Sequence, residues 1–159
     1  MDKPVLCAVI VSQLEAAVNS ASTAAEQARA TATDKQNIAE NKYDTLGLEA
    51  AYLAHGQSER VVQLAKAMGD FRELQKTVKP HNEIEIGSLV ALEDDAGSAR
   101  HVFIGPSAGG HMVTFEEINI TVITASSPLG QSLMKRAIGD DVVTEIAGKK
   151  INYLIADLW

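Results

Sequence analysis

From Leu6 onward, small and apolar residues recur at steps of three and four: Leu6, Ile10, Leu14, Ala17, Ala21, Ala24, Ala28 and Thr31. That spacing predicts a helix with a coiled-coil seam, and alanine at most seam positions lets a second backbone approach closely. Pro4 suits the first turn, where its missing N–H costs nothing. A second seam reads Ala50, Ala54, Gln57, Val61, Leu64, Met68 and Phe71, and fades before Pro80. About a dozen residues, Asn37 to Leu48, separate the two. The expected element is an antiparallel coiled-coil hairpin over residues 1–78, each arm about 45 Å long at ~1.5 Å per residue. Its core is thin, so its base needs anchoring on another domain.

Thr77 to Glu83 reads as a linker, with Pro80 ending any helix, and residues 79–159 follow as a second domain. There the hydrophobic period changes to two. Leu89–Leu92, the turn Asp94-Asp95-Ala96-Gly97 and His101–Ile104 predict a β-hairpin. Gly105–Gly110 is a loop, and Met112–Phe115 and Ile118–Thr124 are two further strands. Pro128 starts a short helix behind the caps Ser126 and Ser127, Gly139-Asp140 stops it, and a hairpin of Val142–Ile146 with Ile151–Leu158 closes an α+β unit.

The 159 residues, 46% hydrophobic, suffice for a real core. No uninterrupted apolar run approaches the roughly 18–20 residues of a membrane helix, and the amino terminus lacks a signal-peptide pattern, so a cytoplasmic protein without membrane contact is expected. Cys7 is the lone cysteine; among apolar neighbours it reads as a buried, inert thiol. A net charge of −7 argues against broad binding of duplex nucleic acid and for a protein partner. The charge is uneven: ten acids face eight bases up to Lys76, and eleven face six from Thr77 onward.

Three segments resemble one known family: Ser126-Ser127-Pro128-Leu129-Gly130-Gln131-Ser132-Leu133-Met134, Ile138-Gly139-Asp140-Asp141-Val142-Val143, and Ile151-Asn152-Tyr153-Leu154-Ile155-Ala156-Asp157. Together they are similar to the carboxyl-terminal domain of the bacterial Gre transcript-cleavage factors, with its Ser-Pro-Leu turn, short helix and Val-Gly-Asp turn. The resemblance implies an FK506-binding-protein-like (FKBP-like) α+β fold for the second domain. It also implies a monomer that binds RNA polymerase at the rim of the secondary channel through Ser126, Ser127 and Pro128. The hairpin would then enter the channel and reach the nascent RNA 3′ end indirectly. Such a protein is not itself an enzyme, and the resemblance also implies the DNA-binding association of its family. Where the family often has an acidic residue two before the proline, this chain has Ser126.

At the hairpin tip, Glu40-Asn41-Lys42-Tyr43 and Tyr52-Leu53-Ala54-His55 echo the family's acidic tip and the helix after it. Alignment on Glu40-Asn41 puts Asn37 where the family has aspartate; alignment on Tyr52 makes Asp44 and Glu49 the acidic pair. Glu40 and Asp44, four residues apart, are the candidate catalytic and metal-binding pair, since Mg²⁺ takes carboxylate oxygens while keeping several waters. The metal would be shared with the polymerase rather than held tightly by this protein. Two readings follow: a factor that stimulates the polymerase's cleavage of backtracked RNA, or a channel-occupying regulator without cleavage. Peptidyl-prolyl isomerisation, suggested by fold alone, ranks below both, since few aromatic residues are available for a prolyl pocket. Arg29, Lys35 and Lys42 form a possible basic strip near the tip. His55, His81, His101 and His111 lack metal-ligand spacing. The Gly105–Gly110 loop lacks the Gly-Lys-Ser/Thr and following helix of a phosphate cradle.

Overall fold

The computed structural model describes residues 1–34, 45–146 and 148–159. Two long helices precede a small mixed-sheet domain of the expected FKBP-like α+β class. α1 runs Lys3–Thr33 and α2 runs Leu46–Thr77, 31 and 32 residues. Asp2 caps α1: its carboxylate accepts the Val5 N–H at 3.0 Å and its carbonyl the Leu6 N–H at 3.0 Å. At the start of α2, the Thr45 carbonyl accepts the Glu49 N–H at 2.8 Å, and the Thr45 hydroxyl bonds the Glu49 carboxylate at 2.8 Å.

Packing divides the chain into two compact units, Ser12–Met68 and Met1–Val11 with Gly69–Trp159. Composition alone marks residue 79 as the start of a domain; by packing, the proximal turns of both helices belong with the sheet. In the Ser12–Met68 unit the two arms run antiparallel. Ala28 and Thr31 share a groove with Leu46, Ala50 and Leu53, while Ser22 and Ala25 share one with Ser58 and Val61. The buried seam is Leu14, Ala21, Ala25 and Ala28 on one arm and Ala50, Ala54 and Ala67 on the other. Ala25 rather than Ala24 is the buried one and Thr31 is exposed, a small rotation from the expected register. By length and composition α1 could cross a membrane. Alanine and valine raise its average, but Ser12, Gln13, Glu15, Asn19 and Ser20 interrupt the apolar run, and its Leu6, Cys7, Ile10 and Leu14 are buried within the protein.

In the other unit six strands form one sheet: β1 (Leu89–Asp94), β2 (Ala99–Gly105), β3 (Met112–Phe115), β4 (Ile118–Thr124), β5 (Asp141–Ile146) and β6 (Lys149–Leu158). Their spatial order is β3-β4-β2-β1-β6-β5. All neighbours are antiparallel except β2 and β4, which pair in parallel from His101↔Ile120 to Gly105↔Thr124. The tight β3–β4 connection places Glu116 and Glu117 at φ 49° and 64°, a conformation that disfavours side chains of this kind.

Alternation of side chains gives the sheet two apolar faces. On one, Val90, Leu92, Val102, Ile104, Tyr153 and Ile155 pack with Leu129 and Leu133 of the short helix α3 (Pro128–Leu133). On the other, Leu89 and Phe103 are register partners, and Phe103 meets Phe71 from the end of α2 with ring centroids 6.1 Å apart. Gly105 leaves room for this contact: a Cβ there would lie 2.9 Å from the Phe71 ring and 2.7 Å from Val122. The root of α1 is tied to the linker, since the buried Lys3 ammonium donates to the Lys79 carbonyl; after it, His81 pairs locally with Glu85. Burial lowers the Lys3 pKa, with Cys7 and Glu85 opposing the shift. Burial likewise lowers that of His81, against the pull of Glu85.

Phe71→Ala removes a wholly buried ring and is expected to cost about 3–5 kcal/mol in urea unfolding of the sheet unit. Cys7 is fully buried, and burial pushes its thiol up to about 11. At pH 8 roughly one thiol in a thousand is then ionised, so a disulfide reagent should label the native protein far more slowly than the urea-unfolded chain. Equal rates would mean that the amino-terminal turn of α1 does not pack as described.

Candidate functional site

The carboxyl-terminal turn is built from the end of β4 and the start of α3. β4 stops at Thr124, whose carbonyl accepts the Ser127 N–H at 3.0 Å and the Ser127 hydroxyl at 2.7 Å. The same Ser127 oxygen accepts the Gly130 N–H at 3.1 Å, so Ser127 is the N-cap of α3. Pro128 follows at the first helical position, as its fixed φ and missing donor favour. Leu129 and Leu133 then point into the core, leaving Ser126 and Pro128 exposed. The expected cap at Ser127 is therefore present, whereas Ser126 is outside the cap.

Three further residues shape this turn, none singled out by the sequence as a site residue. A Cβ on Gly130 would lie 2.0 Å from the Thr124 carbonyl oxygen, so no larger residue fits without moving backbone. The Gln131 side-chain amide reaches back to the Ser126 carbonyl at 2.9 Å, and the Thr124 hydroxyl lies 3.1 Å from that of Ser126. The sequence signal for Gly130 is a glycine two residues after the proline that opens the helix.

Glu40 and Asp44 lie outside the described residues, as do Asn37, Lys35, Lys42 and Tyr43. Of the tip candidates, Glu49 is exposed and bonded by Thr45, and Arg29 is exposed on α1 beside Glu26. The histidines fall in separate surroundings: His55 faces Glu59 at 3.6 Å, His81 pairs with Glu85, His101 lies beside Trp159, and His111 sits in the loop before β3, where burial lowers its pKa. Among the described residues no three His, Cys, Asp or Glu side chains are placed to hold a metal. Gly105 ends β2 and the residues from there to Gly110 form a turn: the Gly110 N–H bonds the Val122 carbonyl at 2.8 Å, tying the loop to β4. Phe71 and Phe103 are wholly buried and Tyr153 nearly so, which commits these rings to the core rather than to an open prolyl cleft.

The pattern that defines the family "Transcription elongation factor, GreA/GreB, C-term" matches residues 79–159, just over half of the chain. The protein belongs to the GreA/GreB family of transcription elongation factors. No curated protein matches the chain. Among solved structures it is similar to GreA factor homolog 1 (Gfh1) of Thermus thermophilus, with 17% identity, a TM-score of 0.39 and coverage of 94% of both chains. It is also similar to Gfh1 of Thermus aquaticus, with 17% identity, a TM-score of 0.40 and coverage of 92% of both chains.

Two substitutions separate the supports of the turn. Ser127→Ala, which removes the cap, should lower stability by about 1 kcal/mol. Gly130→Ala should cost more, roughly 1–3 kcal/mol, because the obstacle is backbone rather than a movable side chain. Thermal denaturation of the two variants ranks them; a neutral Gly130→Ala would contradict the close approach to Thr124.

Proposed function

We propose that this GreA/GreB-family protein binds RNA polymerase, docks through the Ser126–Pro128 turn at the rim of the secondary channel, and inserts its hairpin tip to stimulate cleavage of backtracked RNA. The observation that carries the reading is the joining of a family-type domain, with its exposed Ser-Pro turn, to two helices of 31 and 32 residues. Helices of that length span about 45 Å at ~1.5 Å per residue. The net charge of −7 fits a protein partner better than a nucleic-acid surface, so contact with DNA or with the RNA 3′ end would be made through the polymerase. On this reading the protein acts in the cytoplasm as a monomer and carries no catalytic activity of its own.

Glu40 and Asp44 supply the right donor type for a hard divalent cation, since both offer carboxylate oxygens. They would hold Mg²⁺ jointly with the polymerase, and the ion would there supply charge stabilisation for phosphodiester hydrolysis. The residues of this chain would orient that ion; the polymerase would supply the reaction site. A second reading, a channel-occupying regulator that does not support cleavage, is favoured by Asn37. It stands where alignment on Glu40-Asn41 places the family's aspartate, and a neutral amide contributes no charge to a cation.

The deciding assay follows transcript shortening in purified, backtracked elongation complexes. Wild-type protein should shorten the RNA, and Asp44→Ala or Glu40→Ala should reduce the rate by about tenfold or more, a loss of at least ~1.4 kcal/mol in barrier lowering. Binding with no shortening selects the regulator, and failure to bind polymerase rejects both readings.

A further inference from the structure

Ser126 and Pro128 are the exposed members of the turn, and an exposed turn ordinarily samples several conformations. Here the backbone between β4 and α3 is held from both sides. Ser127 and Gly130 fix the inner edge by capping and close packing, and those contacts are part of the fold. Two outer bonds serve no comparable packing purpose. Gln131 is an exposed side chain, yet its amide is committed to the Ser126 carbonyl five residues back at 2.9 Å. The Thr124 hydroxyl, on the last residue of β4, lies within hydrogen-bond distance of the Ser126 hydroxyl, at 3.1 Å.

We infer that Thr124 and Gln131 are positioning residues that present the Ser126 hydroxyl and the Pro128 ring to the polymerase. The inference rests on the docking reading above and adds two residues outside the turn. Exposed hydrogen bonds of this kind exchange with water and contribute little to net stability. Their effect lies in the unbound state: a turn already held in its binding conformation loses less freedom on association, which strengthens binding without any new contact. The Thr124 side chain acts through the Ser126 hydroxyl, whereas Gln131 holds the backbone that carries both Ser126 and Pro128. The six-residue α3 is a rigid support for this turn; its backbone N–H groups are not themselves the recognition element.

The test measures the affinity and dissociation rate of full-length protein for purified core RNA polymerase. The set comprises wild type, Ser126→Ala, Pro128→Ala, Thr124→Val, Gln131→Met and the double variant Thr124→Val/Ser126→Ala. Thr124→Val and Gln131→Met preserve size and remove only the polar group. Each should melt as the wild type does yet bind about three- to tenfold more weakly, mainly through faster dissociation. The double variant should bind no more weakly than Ser126→Ala alone, because Thr124 has nothing left to orient. Additive losses would overturn the inference by showing that Thr124 acts elsewhere, as would unchanged affinity in both single variants. Melting temperature falling in step with affinity would reduce both residues to ordinary structural ones. Wild-type binding that is indifferent to Ser126→Ala and Pro128→Ala, or no binding by wild type at all, would instead reject the docking reading and remove the inference with it.

Discussion

The structure depends first on the seating of Phe71 against Phe103. α2 is a continuous helix whose seam is mostly small residues, and such a helix gains too little from its own contacts to stand in water unaided. Its last turns are different in kind, because Phe71 is wholly buried and belongs to the same compact unit as the sheet. The ring fits only because Gly105 presents no Cβ at the end of β2. At the opening of α1, Leu6, Cys7 and Ile10 are equally buried, and Lys3 gives its ammonium to the linker carbonyl of Lys79. Each long helix therefore has large buried apolar side chains at one end, whereas the buried positions of its remaining length are mostly alanine.

The alternation of apolar residues made most strands legible, since a strand imposes a period of two that no helix shares. The ends of Met112–Phe115 and Ile118–Thr124 agree with β3 and β4 for that reason. The parallel pairing of β2 with β4 was not legible, because periodicity says which face a residue takes and nothing about which strand lies beside it. Nor was the bend through Glu116 and Glu117, which adopt positive φ without the glycine or asparagine that usually announces it. Ala67 escaped the seam because alanine recurs too often in these helices to mark one face.

The turn between β4 and α3 was partly legible. Ser127 before Pro128 is a cap signal with a mechanism, and the cap is there. Thr124 and Gln131 gave no signal, because their bonds arise from where a strand end and a helix face meet, a relation that one-dimensional spacing does not encode. The distinction is useful physically. Residues that hold the fold announce themselves through constraints on residue type, as Gly130 does, whereas residues that merely aim a neighbour are polar, exposed and replaceable as far as folding is concerned.

The alanine seam of the Ser12–Met68 unit carries a consequence for girth. Paired helices sit about 8–10 Å apart, and the distance is set by the side chains between them. Ala21, Ala25 and Ala28 on one arm and Ala50, Ala54 and Ala67 on the other place this pair towards the narrow end of that range. A slender rod passes through an aperture that a leucine-filled pair of the same length could not enter. The small residues that make the arms weak as a core thus also keep the pair thin.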